Sequence, residues 1–313
     1  MNEKLGLLIK SEKEILETLT DKKAIFIDMQ KIEKYDLAFN IIEKITGIHE
    51  SVINEKVSLI ETYASVRYIL ETLIQTELLI REPSYTFKLY YSIYNHQLDK
   101  YDKFIKRIKE EIRIMGEYEK KDETLRKKMV KNVSLDKDPS HTIKEHHKAQ
   151  KILDDDADLE FTMFTPDYKS YGYGFTQHLL KTKVLPEYQK SYKDIQESTI
   201  RTAKNIVKQD RISKWFNFNK QHSKVFKEFK DKRSWKKKAE ETNLIKEYEL
   251  VYDLSSAILH STSYSYNTNN EVTDSEKDIA LKLILKYSKK INFNLNKYLN
   301  IELFSKLVVI NVE

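Results

Sequence analysis

The scarcity of glycine and proline constrains the fold of this chain more than any other feature of its sequence. Only 5 of the 313 residues are Gly and 4 are Pro. Proteins built from β-strands need many tight turns, and tight turns depend on these two residues. The sequence therefore predicts an all-α fold, a multi-helix bundle of long helices joined by few turns.

The composition narrows the class of protein further. Hydrophobic residues make up 40% of the chain, enough for a sizeable core, and the 33% of charged residues fit the solvated faces of helices. Cysteine is absent, which excludes disulfides and thiolate zinc sites and fits a reducing compartment. No stretch approaches the roughly 18 apolar residues of a membrane span, and the N-terminal apolar run is too short for a signal peptide. We expect a cytoplasmic protein with no membrane partner.

Apolar periodicity and terminator residues divide the chain into predicted helices. Gly47 fits the C-cap of the second helix, and Pro83 ends the third. The predicted helices cover residues 3–19, 23–46, 50–81, 84–115, 176–210, 242–264 and 275–299.

A stretch with few large apolar residues separates the first four predicted helices from the last three. Residues 117–160 are highly charged, and residues 161–175 are aromatic and contain two of the five glycines, which is typical of an ordered loop. We therefore expect three parts: an N-terminal helical part of the bundle over 1–116, a charged insertion or linker over 117–175, and a C-terminal helical part over 176–313 that packs on the first.

Two charged residues lie on the apolar stripe of the predicted helix over 50–81. Arg67 and Glu71 are one helical turn apart, and a buried charge must be paired. The pair either locks the packing of helices or holds Arg67 ready for an anionic group, and the first interpretation is favoured because structural networks also place charge in cores. The stripe consists of Ile60, Ala64, Arg67, Glu71, Ile74 and Leu78.

A row of polar side chains lies on the predicted helix over 242–264. A histidine beside a hydroxyl acts as a general base or simply accepts a hydrogen bond, and structural histidines are the commoner outcome. A Ser–His pair on one helix lacks the loop of an oxyanion hole, which disfavours hydrolase chemistry. The row, with a spacing of four residues, consists of Tyr252, Ser256, His260 and Tyr264.

These two motifs carry a family resemblance. An Arg-x-x-x-Glu helix followed far downstream by a Tyr-x-x-x-Ser-x-x-x-His helix resembles a bacterial family of helical proteins of unknown function, similar in turn to abortive-infection and HEPN-like proteins. Some of those proteins are ribonucleases in defence or toxin systems, and many are dimers. HEPN ribonucleases carry Arg and His on one helix, whereas the matching residues here lie on two helices, in a composite site. The catalytic candidates are Arg67, Glu71, Tyr252, Ser256 and His260.

The resemblance implies a defence-associated or toxin-like effector that acts on RNA and forms a homodimer. The alternative is a non-enzymatic helical binding or scaffold protein, in which the same motif residues form one buried structural network. The sequence leaves open whether the chain is an enzyme.

Positive charge is concentrated in one segment. Residues 176–240 contain 18 Lys and Arg against 7 Asp and Glu, a net charge of +11, while the blocks 141–175 and 241–313 carry −3 and −2. Basic side chains attract phosphates and aromatic rings stack on unpaired bases, so we expect contact with RNA or another polyanion. The alternative is a solvated helix face. The predicted nucleic-acid contacts are Lys232, Arg233, Trp235, Lys236, Lys237 and Lys238.

Metal and cofactor motifs are not apparent. His141, His146 and His147 precede an acidic run at 154–158, but this charged arm lacks the HExxH spacing, and a solvated linker is the favoured interpretation. The chain has no P-loop and no GxGxxG motif. We therefore expect neither a metal nor a cofactor.

Overall fold

The all-α prediction is confirmed. The structure, a computed structural model, describes residues 2–25, 32–53, 57–135, 139–218, 224–259 and 273–299, and this part of the chain contains helices and no β-strand. The helices are α1 (Asn2–Ile25), α2 (Ile32–Ile53), α3 (Leu59–Arg81), α4 (Tyr85–Val133), α5 (Pro139–Asp158), α6 (Tyr168–Tyr171), α7 (Tyr173–Leu179), a π-helical turn (Leu180–Val184), α8 (Leu185–Val207), α9 (Asp210–Ser213), α10 (Val225–Glu228), α11 (Trp235–Glu241), α12 (Ile245–Leu259) and α13 (Asp274–Leu299).

Several predicted helix boundaries in the N-terminal half of the chain were wrong. The predicted break between residues 19 and 23 lies inside α1, which ends at Ile25. Gly47 lies inside α2, which continues to Ile53, so this glycine does not end the helix. Helix α3 begins at Leu59 because Ser58 caps it. The Ser58 hydroxyl accepts a hydrogen bond from the Glu61 amide, and the Glu61 carboxylate accepts one from the Ser58 amide in return. This capping box satisfies two amide groups that the first turn leaves unpaired.

Helix α4 extends further than the apolar pattern indicated. It was predicted to end near residue 115 and instead continues to Val133. The additional turns are rich in ion pairs one turn apart, such as Arg126–Asp122 at 2.7 Å and Lys127–Glu123 at 2.7 Å. Pairs at this spacing support a solvated helix without an apolar stripe.

The chain divides into two compact units. One consists of Met1–Ser92 and Glu228–Glu313, and the other of Ile93–Lys227. The expected domain division at residues 116 and 175, with a charged insertion between them, stays a prediction. Within the described ranges, none of the helices combines the length and the apolar character that a bilayer span requires.

The first unit has one continuous core. Helix α13 packs along α3, α1 packs along α2, and α12 packs against α3. The core is aliphatic, and its fully buried side chains include Leu8, Ile42, Ile69, Leu73 and Ile284. Burying such side chains contributes about 1.5–3 kcal/mol each before the entropy of ordering the chain is subtracted.

The second unit has a smaller core between α4, α5 and α7, around Met115 and Leu180. The predicted ordered loop over 161–175 contains α6 and the start of α7, and its first part is held there by a buried carboxylate. Glu111 accepts hydrogen bonds from the amides of Met163 (2.7 Å) and Phe164 (2.9 Å) and from the Thr165 hydroxyl (2.7 Å). Charge-assisted bonds of this kind are stronger than neutral ones, so Glu111 fixes the backbone of the loop.

Candidate functional site

The Arg67–Glu71 pair forms as its spacing predicted. The Arg67 Nε donates to the Glu71 Oε1 at 3.0 Å, along one face of α3. The side chains are half-buried, with 26% of Arg67 and 21% of Glu71 exposed. The burial of this pair is intermediate between that of an exposed ion pair and that of a core ion pair. The two charges are therefore paired with each other and still reach solvent.

Helix α12 brings the third motif residue onto the same pair. The Arg67 guanidinium lies over the Tyr252 ring, 4.8 Å from its centroid. Tyr252 in turn stacks on Tyr248, with ring centroids 5.4 Å apart and an interplanar angle of 28°. The two motif helices α3 and α12 pack together, although 185 positions separate Arg67 from Tyr252 in the sequence.

Burial is the main reason that Tyr248, the second ring of this stack, stays neutral. Burial raises the pKa of Tyr248, the neighbouring Tyr252 and Glu71 raise it further, and the positive charges of Arg67 and Lys236 act in the opposite direction. Tyr248 therefore serves as an uncharged platform under Tyr252. The stack leaves Arg67 as the positive group of the site, oriented by a carboxylate on one side and an aromatic face on the other.

Several polar atoms of the site have no partner among the residues that the structure describes. The terminal nitrogens Nη1 and Nη2 of Arg67 form no hydrogen bond there, since only Nε is used by Glu71. The Ser256 hydroxyl, part-buried on α12, forms none either. A guanidinium with a fixed Nε and free terminal nitrogens presents two donors in the geometry that carboxylate and phosphate oxygens accept.

The remaining candidates in the polar row are placed differently. His260 and Tyr264 lie outside the described residues. Ser255, which was not singled out, is fully buried, and its hydroxyl donates to the Tyr252 carbonyl at 3.1 Å. The structure thus brings together Arg67, Glu71 and Tyr252, and the composite site with His260 stays a prediction.

The predicted nucleic-acid contact Arg233 is the centre of an ion-pair network. Its Nε lies 3.0 Å from Asp231, its Nη1 lies 2.7 Å from Glu241, and its Nη2 lies 3.0 Å from Glu82. The guanidinium also lies over the Tyr85 ring, 5.4 Å from its centroid. Three carboxylates compensate this charge, so Arg233 ties the end of α3 to the segment before α11.

Lys238 belongs to the same network. Its Nζ lies 3.2 Å from Asp231 and 4.7 Å from the centroid of the Trp235 ring, and only 11% of its side chain is exposed. Burial disfavours the charged form of Asp231, but the hydrogen bonds from Arg233 and the charge of Lys238 outweigh it and lower the pKa of Asp231 to about 2. Trp235 itself packs against the core of the first unit.

The other three predicted contacts reach solvent. Lys236 pairs with Glu249 at 3.0 Å and Lys237 with Glu240 at 3.4 Å, both exposed pairs. Lys232 is exposed and forms no ion pair with any described residue. Half of the predicted nucleic-acid contacts are therefore engaged inside the protein, and the nucleic-acid role of the exposed ones stays a prediction.

A buried polar network in the first unit was missed by the sequence analysis. His49 Nδ1 lies 2.9 Å from the Glu12 carboxylate, and His49 Nε2 lies 2.7 Å from the Ser288 hydroxyl. Thr46 and Asn292 donate to the same carboxylate at 3.0 and 3.2 Å. The order carboxylate, imidazole, hydroxyl matches a catalytic triad, but Glu12, His49 and Ser288 are each 0% exposed, so no substrate reaches them.

The signal for this network was present in the sequence. Glu12 lies on the stripe of Leu5, Leu8, Ile15 and Leu19, whose side chains are all buried. A charged residue at such a position predicts a buried partner, by the reasoning applied to Arg67 and Glu71. The network joins α1, α2 and α13 and fixes the positions of these three helices along one another.

Comparisons with protein-family models, with curated proteins and with solved structures gave no match to this chain. The resemblance carried by the Arg-x-x-x-Glu and Tyr-x-x-x-Ser-x-x-x-His motifs therefore stays a prediction.

Proposed function

We propose that this chain is an RNA-directed helical effector of the defence or toxin type, and that Arg67 binds an anionic group of its ligand. The observation that supports the proposal is the state of the guanidinium. Glu71 and Tyr252 fix its orientation, whereas its terminal nitrogens have no partner among the described residues. A preoriented arginine of this kind loses little entropy when it binds a phosphate, which favours anion recognition.

The composite site assigns a separate role to each motif residue. Arg67 binds the phosphate, Glu71 holds the arginine, and Tyr252 supports it from below. Ser256 and His260 are proposed to complete the site from α12 and the residues after it, with the imidazole as the proton-transfer group.

A growth assay tests this proposal. Expression of the wild-type chain is expected to slow the growth of a bacterial host, and Arg67→Gln and His260→Ala are each expected to restore growth. Arg67→Lys serves as the matched control, because it keeps the charge and loses the two-pronged geometry, so it should restore growth only in part. Equal toxicity of wild type and His260→Ala, or no toxicity of either, would count against catalysis.

The second candidate is a non-enzymatic binding or scaffold protein, and the mutual engagement of Arg67, Glu71 and Tyr252 favours it. In that case the motif residues join α3 to α12 and contact no ligand. Because the pair is half-buried, Arg67→Ala should cost about 1–3 kcal/mol of unfolding free energy, between the values for exposed and buried pairs. Loss of activity in Arg67→Gln with an unchanged unfolding free energy would contradict the scaffold function.

A further inference from the structure

The ion pairs of the basic segment show where its uncompensated charge lies. Near α11, Arg233, Lys236, Lys237 and Lys238 each face a carboxylate. The other concentration of charge is the end of α8 with α9, where residues 201–214 contain five basic residues and one acidic residue, Asp210. Arg201, Lys204, Lys208 and Lys214 are exposed there and form no ion pair with any residue that the structure describes.

Helix geometry places three of these charges, those of Arg201, Lys204 and Lys208, on one face. Positions 201, 204 and 208 are three and four residues apart, so their side chains lie on one side of α8. The buried residues Thr199, Ala203 and Ile206 occupy the side that packs on the second unit. At 1.5 Å per residue, the charges of Arg201 and Lys208 lie about 10 Å apart along the helix axis. The result is a continuous row of positive charge open to solvent.

An exposed tryptophan follows this row. Trp215 is 54% exposed, and its ring stacks on no residue of the described chain. The other tryptophan, Trp235, is packed against a core. An exposed indole beside lysines offers a face on which an unpaired base can stack. We define the α8–α9 basic face as Arg201, Lys204, Lys208, Lys214 and Trp215.

We propose that the α8–α9 basic face binds single-stranded nucleic acid, with the four basic side chains on phosphates and Trp215 stacked on a base. The site lies in the second unit and is independent of the proposed function of Arg67, which lies in the first. It also differs from the contacts predicted near α11, because those side chains are largely paired. Single strands are favoured over duplexes because stacking on Trp215 requires an unpaired base.

The test is binding of a fluorescein-labelled 20-mer of oligouridine, measured by fluorescence anisotropy between 50 and 200 mM salt. If the four basic residues contact four phosphates, the logarithmic salt slope is about −2.8, and affinity falls about 50-fold over this range. The triple variant Arg201→Glu/Lys204→Glu/Lys208→Glu should lose most of the binding affinity and most of its salt dependence. Trp215→Ala should weaken binding about 5- to 150-fold, the range for one stacked base, and Trp215→Phe should recover part of the loss.

A matched control separates the site from general charge. Lys120→Glu/Lys128→Glu/Lys131→Glu makes the same change in net charge at exposed lysines of α4, in the same unit. This control should keep most of the wild-type affinity. The proposal is overturned if the wild type does not bind at 50 mM salt, or if the two triple variants lose affinity equally. It is also overturned if Trp215→Ala binds the single strand as tightly as the wild type does, or if the wild type binds a duplex as tightly as the single strand. Either result would indicate a surface that binds polyanions in general. Circular dichroism melts of all variants identify any loss caused by unfolding.

Discussion

The buried network of Glu12, His49 and Ser288 gives a sharp stability prediction. The substitution His49→Ala removes the imidazole that joins the carboxylate to the hydroxyl. Glu12 would remain 0% exposed with hydrogen bonds from Thr46 and Asn292 only, and the Ser288 hydroxyl would lose its partner. A buried polar group that loses its hydrogen-bond partner costs about 1–3 kcal/mol, and both the Glu12 carboxyl and the Ser288 hydroxyl lose one, so the variant should lose about 3–5 kcal/mol of unfolding free energy.

The neighbouring residues supply the control for this prediction. Lys13 and Glu50 follow Glu12 and His49 by one position on the same two helices and form an ion pair, but their side chains are 57% and 41% exposed. Lys13→Ala should therefore cost about 0–1 kcal/mol, the range for an exposed pair. Both substitutions remove a side-chain contact between α1 and α2, but His49→Ala removes it in the core and also removes the hydrogen bond to Ser288 on α13.

Urea unfolding followed by circular dichroism measures both variants. For a unit of this size, a loss of about 3–5 kcal/mol also lowers the melting temperature by roughly 6–20 °C. If His49→Ala costs no more than Lys13→Ala, then the network does not hold the three helices together. A double variant with Glu12→Gln should recover part of the loss, because a neutral amide costs less than a carboxylate when it stays buried with fewer hydrogen bonds.

Four further predictions concern single positions. Gly47→Ala should stabilise α2 by about 0.5–1 kcal/mol in thermal melts, because an added Cβ meets nothing within 4 Å. Gly116→Ala should give no such gain, because its Cβ displaces the Gln177 amide and breaks the hydrogen bond to the Ile112 carbonyl. Asp231 has a lowered folded pKa of about 2, so its contribution to stability is present above pH 4 and is lost as the pH falls towards 2; Asp231→Asn should flatten this part of an acid unfolding curve. Glu111→Gln should lower the free energy of unfolding by about 1.5–3 kcal/mol and accelerate proteolysis within 161–167. The reason is that an amide cannot accept all four hydrogen bonds that the carboxylate accepts. Equal cleavage rates in the variant and the wild type would refute this role.

The fold class could be predicted because its determinants are local. The scarcity of Gly and Pro excludes a turn-rich fold. Pro83 ends a helix because proline lacks the backbone N–H that a helix interior requires. The length of α4 could not be predicted from apolar periodicity, because its last turns are supported by charged pairs instead of a buried face. The start of α3 was visible in the Ser58-x-x-Glu61 signature, but the apolar residues on both sides concealed the break.

The site was predictable only in its local part. Arg67 and Glu71 pair because one helical turn separates them. Arg233 was predicted to contact nucleic acid because its neighbours are basic, yet two of its partners are Glu82 and Glu241, 151 and 8 residues away. The density of basic residues in the sequence indicates an attraction for anions. In the folded chain, carboxylates at the ends of α3 and α11 already pair with Arg233.

Glu12 and Arg67 share one sequence pattern and occupy different surroundings. Both are charged residues on an apolar helical stripe, a pattern that predicts burial with a partner. Around Glu12, side chains from α2 and α13 donate to the carboxylate, which leaves it without solvent and without capacity for a ligand. Around Arg67, the described contacts come from its own helix and α12, and they engage the Nε and one face of the guanidinium while its terminal nitrogens stay available. It follows that substitution at His49 should change stability, whereas Arg67→Gln should change ligand binding more than stability.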